Sequence, residues 1–323
     1  MNLGKHLINL PTSFANKSML VLINGLPLFS KRLADDLGRF DSKSKYVFCD
    51  TYNSKLQQLK FLLLLPFADV VISMNGVTDN SGSLNAVLKL KKKLIMQWQG
   101  TDSLLAMERF KNGIIKRDYI DHAFHFVDSP WLFDEVSSIH LKPQHVPFKF
   151  AEEKMPIEKF NGISAMTYIA DKRQAFYGIH KFKAVAEANS EVEFKLFGVI
   201  NPEVKLPSNV KLFGWVPSAI FQNHLRETPI FFRLAEHEGF PVSVIEAMSS
   251  GCEVIMTSPY IYSHQAKTNE EVLNAFEKVK QLVSSRNLIP NHDLINMVKR
   301  DYNKDVILSG YIDKIKSIVI TQS

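Results

Sequence analysis

Residues 233–255 read Arg-Leu-Ala-Glu-His-Glu-Gly-Phe-Pro-Val-Ser-Val-Ile-Glu-Ala-Met-Ser-Ser-Gly-Cys-Glu-Val-Ile. An apolar strand, Ile230 to Leu234, runs into a loop holding Glu236, His237, Glu238 and Gly239. A helix follows, then a second apolar strand at Glu253 to Met256. Pro241 suits the first helical position, where its missing N–H would have no partner in any case, and Gly251 suits the left-handed residue just past the end. Strand, loop, helix and strand in this order form one unit of a parallel α/β sheet, whose ligands bind at the carboxyl ends of strands beside helix N-termini. The first turn of such a helix offers N–H groups and the positive end of its dipole, which favours an anion such as a diphosphate. Gly239, without a side chain, lets that backbone come close. Val244, Ile245 and Met248 form the core-facing stripe of the helix, so Glu246 lies at its margin, where a carboxylate can reach into a crevice. Glu238 and Glu246 are both acceptors for sugar hydroxyls, and together they could hold two sugar rings of one ligand.

The same alternation runs along the rest of the chain. Met19–Asn24, Tyr46–Cys49, Asp69–Ser73, Leu94–Trp98 and Phe124–Val127 read as strands. Helix-like segments lie at Lys55–Leu65, Leu84–Lys92 and Ser103–Phe110, and Ser30 reads as the cap of a helix through Leu37. From Phe150 to Asn161 the pattern lapses into charged and turn-forming residues, with Pro147 before it and Pro156 inside it, as a linker does. A second series then begins with Ser164–Ile169, Glu193–Phe197 and Val210–Phe213 and continues through the two strands already described. The helix Lys181–Ala188 falls inside this series, and helical stretches at Asn269–Ser284 and Asp305–Val319 close the chain. Right-handed crossovers wind each series into one layer. The expected fold is therefore α/β, with two Rossmann-like domains, residues 1–150 and 151–323, facing each other across a cleft.

Composition agrees and excludes much. The 46% hydrophobic and 22% charged fractions are those of a globular protein. The longest apolar run, Phe61–Ala68, is interrupted by Pro66 and falls far short of the roughly 20 residues that span a membrane. The apolar segment Met19–Leu22 lacks a small-residue cleavage site, so a cytoplasmic protein is expected. Cys49 and Cys252 are too few and too far apart for a disulfide framework or a cysteine zinc site, and read as small buried side chains. There is no Asp-x-Asp, no histidine pair at metal-ligand spacing, no Gly-x-Ser-x-Gly turn and no phosphate-loop or dinucleotide glycine fingerprint. No metal and no cofactor are expected, and His237 reads as a donor to substrate or solvent. No nucleic-acid-binding signature accompanies the basic charge.

The Glu-x7-Glu spacing, with Gly after the first Glu and Glu-Ala-Met-x-x-Gly-x-x-Val-Ile around the second, resembles the retaining glycosyltransferase family four and its relatives, of the two-Rossmann-domain (GT-B) fold. The resemblance implies a nucleotide diphospho-sugar donor, with Glu238 on the transferred sugar, Glu246 on the nucleotide ribose and the Gly239–Phe240 backbone on the diphosphate. Gln97-Trp-Gln-Gly-Thr-Asp102 is similar to the family's His-Gly-Ser/Thr-Asp strand end. It brings Gln99 and Asp102 to the cleft, although Gln99 cannot exchange a proton as His would, and Asp102 serves equally well as a helix cap. Asp128-Ser-Pro-Trp131 resembles the segment before the last helix of the first domain and reads mainly as structure. Where the family places an Arg and then Lys-Gly, this chain has Tyr177 before Gly178, so Lys172 and Arg173 in the same loop are the substitutes for neutralising the leaving diphosphate. Phe213-Gly-Trp-Val-Pro217 resembles the strand end that borders the nucleobase, which makes Trp215 and Val216 donor-site candidates. Gly25, at the turn after the first strand, joins them.

The resemblance implies transfer to a glycan or lipid-linked acceptor, as in bacterial surface polysaccharide or glycoconjugate synthesis, with retention of configuration. A nucleotide-sugar 2-epimerase of the same architecture and a degenerate, non-catalytic partner subunit are the alternatives. Residues 1–150 carry 19 basic and 13 acidic side chains, so the entire formal charge of +6 falls in the half expected to take the acceptor. Lys89, Lys91, Lys92 and Lys93, together with Lys55 and Lys60 before Phe61–Leu65, suggest docking on an anionic membrane surface.

Overall fold

The computed structural model describes residues 18–151 and 157–320. The centre of the expected linker, residues 152–156, lies outside them.

Two six-stranded sheets form the frame. The first contains β1 (Leu20–Gly25), β2 (Lys45–Phe48), β3 (Val70–Met74), β4 (Lys93–Trp98), β5 (Phe124–Val127) and β6 (Pro143–His145), in the order β2-β1-β3-β4-β5-β6. The second contains β7 (Ser164–Tyr168), β8 (Glu193–Phe197), β9 (Val210–Gly214), β10 (Ile230–Arg233), β11 (Glu253–Met256) and β12 (His264–Gln265), in the order β12-β11-β10-β7-β8-β9. Every pairing is parallel. Helices cover both faces of a parallel sheet, so its central strands read as continuous apolar runs, and β3 and β11 are buried along their whole length.

Each sheet reverses its direction of growth once, between β1 and β3 in the first and between β7 and β10 in the second. The second sheet owes its core to aromatic side chains. Phe182, Phe194, Phe232 and Phe276 pack with ring centroids 5.5 to 6.5 Å apart. Each such fully buried side chain contributes on the order of 1.5–3 kcal/mol.

Some expectations change. Ser30 caps nothing: the helix starts earlier, at Pro27, runs to Phe40, and Ser30 donates from inside it to the Asn24 carbonyl at 3.0 Å. Pro241 occupies the N-cap of the helix Val242–Ser249, one position ahead of the one expected. The edge strands β6 and β12 are too short to show a pattern in sequence. The last helix, Lys304–Ile320, lies against the first sheet, where Tyr311 donates to Gln97 Oε1 at 3.1 Å and packs edge-on against Phe126. Lys93 donates to the carbonyls of Ile318 and Val319 at 2.9 and 2.7 Å, a cation at the negative end of that helix. Cys49 and Cys252 are buried thiols that form no disulfide.

Candidate active site

Ligands of open α/β sheets bind outside the carboxyl ends of the strands where the growth direction reverses. Both reversal points here face one cavity of about 840 Å³. The first sheet contributes Leu26 after β1, Asn75 and Gly76 after β3, and Gln99 and Asp102 after β4, while the second contributes Tyr168, Arg233 and the loop Glu238–Pro241.

The most charged feature is a pair that sequence reading passed over. Arg233, the last residue of β10, donates from Nε to Glu238 Oε1 at 2.8 Å and from an Nη to Oε2 at 2.6 Å, a two-pronged contact between side chains 11% and 14% exposed. A further Nη donates to the Tyr168 carbonyl at 2.7 Å, and the Tyr177 ring lies beneath the guanidinium at 5.4 Å. Burial works against the charge, but the Glu238 carboxylate outweighs it and holds the Arg233 pKa above its usual value. A strand-end arginine in a parallel sheet is a ligand position by topology alone, and that was the available signal.

Lys172 and Arg173, expected at the diphosphate, are not among the residues lining the cavity. Both are exposed, and Arg173, in a left-handed turn at φ 65°, stacks on Phe176 with its guanidinium 4.0 Å from the ring centroid. Arg32, Arg109, Lys149 and Arg233 are the cations that line the cavity. Gly25 ends β1 against the backbone of Met74, and the lining begins one residue later.

Glu246 lines the cavity and accepts from Gln222 at 3.0 Å. Trp215 and Val216 line it as well, Trp215 with 70% of its surface exposed, and Tyr168, Phe197 and Phe221 complete an aromatic wall. The Gly239 and Phe240 amides, expected on the diphosphate, are taken by the opposite domain: Gly239 donates to the Gln99 carbonyl at 3.0 Å and Phe240 to Asp128 Oδ1 at 3.2 Å. Pro241 has no N–H, so the donors that the helix start can offer an anion are those of Val242 and Ser243, both on the cavity.

Only glycine fits where the domains meet. A Cβ on Gly100, whose φ is +125°, would stand 2.3 Å from the Gly239 nitrogen, and one on Gly239 would stand 2.4 Å from the Gln99 carbonyl oxygen. Asp102 accepts from the amides of Gly76, Gln99, Gly100 and Ser103 at 2.6 to 3.1 Å. Burial pushes its carboxyl up and those four amides pull against it. Its carboxylate braces the loop that carries Gln99 from inside the helix Thr101–Lys111, whose N-cap is Gly100, so it is not the helix cap that the sequence offers. Gln99 Oε1 is buried without a partner among the described residues, beside the cavity.

Further contacts at the cleft bring in Lys149 and Glu135, which carry no sequence signal. Lys149 donates to Asp128 Oδ2 at 2.5 Å and to the Phe240 carbonyl at 3.0 Å, with Lys149 and Asp128 side chains 9% and 1% exposed. Trp131 donates to the Glu238 carbonyl at 2.7 Å. Glu135 lies 2.9 Å from His237 Nε2 and accepts from Ser103. The segment Asp128–Trp131, read as structure, grips the loop that holds Glu238. Among the described residues no group of three or more His, Cys, Asp or Glu is placed to hold a metal ion.

Residues 193–289 match the family described as glycosyl transferases group 1. That segment holds β8 to β12, Arg233, Glu238 and Glu246. No curated protein matches the chain. Among solved structures, sucrose-phosphate synthase from Thermosynechococcus elongatus superposes with a TM-score of 0.72 at 10% identity, over 93% of this chain and 99% of that one. The lipopolysaccharide outer core galactosyltransferase WaaB, in its apo form, gives 0.63 at 15% identity, over 93% and 99%. The pneumococcal O-GlcNAc transferase GtfA in complex with UDP and GlcNAc gives 0.57 at 14% identity, over 82% and 60%. This chain thus spans about 60% of the length of GtfA, and the same share of the chain it matches in the GtfA/B complex. The shared architecture is the GT-B fold, two Rossmann-like domains across a cleft.

Proposed function

We propose that this protein is a glycosyltransferase that moves a sugar from a nucleotide diphospho-sugar to a glycan or lipid-linked acceptor, in surface polysaccharide or glycoconjugate synthesis. The observation that carries the reading is the Arg233–Glu238 pair at the switch point of the second sheet, on the same cavity as Gln99. Arg233 and the helix start at Val242 and Ser243 meet the diphosphate, and Glu246 accepts from the ribose hydroxyls. The aromatic wall at Trp215 takes the base, and Glu238 orients the transferred sugar. In the retaining course, the bond from the anomeric carbon to the diphosphate breaks as the acceptor hydroxyl attacks from the same face. The acceptor's proton passes to the leaving phosphate oxygen. Gln99 positions a hydroxyl and moves no proton.

The test is a panel of nucleoside diphosphates in a thermal-shift measurement, since a ligand at about 100 times its Kd adds about 2.7 kcal/mol, followed by nucleotide release from the matching sugar nucleotides. Release should depend on acceptor, whereas a 2-epimerase would process the donor alone, and a chain that neither binds nor turns over any of them would be a non-catalytic subunit. Activity is expected to survive EDTA, because the cations proposed for the diphosphate are side chains. Loss on chelation with recovery on Mn²⁺ or Mg²⁺ would overturn this.

Glu246→Ala and Glu238→Ala should separate. The first is expected to weaken the free nucleotide by about tenfold, the loss of a charged hydrogen bond of about 1.5 kcal/mol, and the second to lower turnover by a larger factor than it lowers nucleotide affinity, since Glu238 also holds Arg233. Calorimetry alongside initial rates reads both, and equal effects in the two variants would remove the division of roles.

A membrane-surface setting has one specific support. The helix Lys55–Leu64 and the turn after it leave Leu56, Leu59, Leu63 and Phe67 between 54% and 75% exposed, with Lys55 and Lys60 exposed among them. Lys92 and Lys93 do not add to that surface: Lys92 donates to the carbonyls of Pro66 and Ala68, and Lys93 to the last helix. No helix among the described residues is long and apolar enough to cross a membrane. Cosedimentation with anionic vesicles should therefore fall most in a Leu59→Glu, Leu63→Glu variant and fall with added salt. A chain that stays in the supernatant at low salt points to a soluble acceptor.

A further inference from the structure

A second cavity, of about 550 Å³, lies in the first domain between the helix Lys55–Leu64 and the start of the helix Gly82–Lys89. The segment 77–80 is the partition between it and the donor-side cavity. Thr78 faces the latter, Val77 the former, and Asp79 lines both. Its volume lies within the roughly 300–1,000 Å³ of small-molecule sites.

The lining has two characters. Phe61, Leu62 and Val77 form an apolar wall, and the Tyr52 ring, 56% exposed, stands at the mouth. Asp79, which lines both cavities, marks the junction of the two spaces. The opposite side is polar. Thr51, Gln58, Asn80, Ser81 and Ser83 line it, and behind them Asn24, 2% exposed, donates from Nδ2 to Thr51 Oγ1 and Ser83 Oγ at 3.4 and 3.3 Å. Because Thr51 accepts from Asn24, its hydroxyl proton is left to donate toward an oxygen in the cavity. Asp79, the single formal charge on the lining, is met by Arg109 at 2.8 Å.

An apolar wall and an aromatic ring opposite hydroxyl and amide groups, with a carboxylate as the one charge, suit a pyranose ring, which carries an apolar C–H face and a rim of hydroxyls. With Asp79 met by Arg109, the lining carries no net charge, which suits a neutral ligand. We propose that this cavity is an acceptor subsite for a neutral sugar ring, glycosidically joined to the ring whose hydroxyl reacts next door. The chain then prefers acceptors of at least two sugars. This rests on the transferase reading above.

The test is binding to the full chain, followed by ligand-observed NMR, of maltose, lactose and chitobiose against glucose, galactose and N-acetylglucosamine. At least one disaccharide should bind tenfold or more tightly than its monosaccharide. Gly82→Phe fills the cavity from a position where a Cβ meets nothing within 4 Å, and it should abolish the difference while nucleoside diphosphate affinity is unchanged. Tyr52→Ala should weaken the disaccharide and Tyr52→Trp preserve it. Equal binding of one and two rings, no binding of any of these sugars, or a preference that survives Gly82→Phe would each overturn the subsite. Disaccharide binding by a chain that takes no nucleoside diphosphate would instead overturn the transferase reading and leave the subsite standing.

Discussion

Replacing Arg233 by Met is expected to lower kcat/KM for the sugar nucleotide by about 10²- to 10³-fold, the loss that follows removal of one preorganised donor to a developing negative charge. The side chain lines the donor-side cavity and is held by Glu238, Tyr168 and the Tyr177 ring, so its position is set before any ligand arrives. Met keeps much of the volume and removes the charge. Glu238 then keeps a carboxylate 14% exposed with no guanidinium beside it, so the variant also loses stability, and circular dichroism must accompany the kinetics. Arg233→Lys separates the causes. An ammonium restores a point charge but not the fork, so it should recover part of the rate and little of the geometry at Glu238. A folded Arg233→Met variant with kcat/KM within threefold of the parent would end the role assigned here.

The second large effect is on stability. Lys149→Met should destabilise the protein by about 3–5 kcal/mol, the usual result of removing one partner from a buried ion pair. The uncompensated charge would be Asp128, 1% exposed, and the contact from Lys149 to the Phe240 carbonyl would go with it. The pair joins the two domains at the loop that holds Glu238, so a lower urea midpoint should come with a weaker nucleoside diphosphate affinity. Adding Asp128→Asn removes the stranded charge and should recover part of the midpoint. If the double variant is no more stable than Lys149→Met alone, the loss comes from packing around Phe29 and Phe148, over whose rings the ammonium sits at 5.4 and 4.9 Å.

The strands β5, β8 and β11 match the expected runs to the residue, because a buried parallel strand shows as a short run dominated by apolar and aromatic residues. The helix after Glu238 was legible from Pro241 and Gly251, two residues whose backbone chemistry is local. Ser30 misled, since a serine before an apolar run resembles a cap, whereas a proline three residues earlier had already started the helix. Lys172 and Arg173 lie in the loop to which the resemblance points. A loop position does not say which way a side chain faces, and a left-handed turn at Arg173 takes it to Phe176.

The order of short-range signals along the chain thus determined two parallel α/β layers, the strand-loop-helix unit and the two glutamates eight residues apart, since periodicity, caps and turn residues act within a few positions of one another. The tertiary structure alone decided which arginine faces Glu238, that the Gly239 and Phe240 amides are engaged across the cleft, and that Asp128, Trp131 and Lys149 hold the loop. The contacts of Lys149, Trp131 and Asp128 with that loop join residues 91 to 112 positions apart, and the one between Gly239 and Gln99 joins residues still further apart. They exist because two separately wound sheets bring their carboxyl ends together, and no local pattern carries the distance between them.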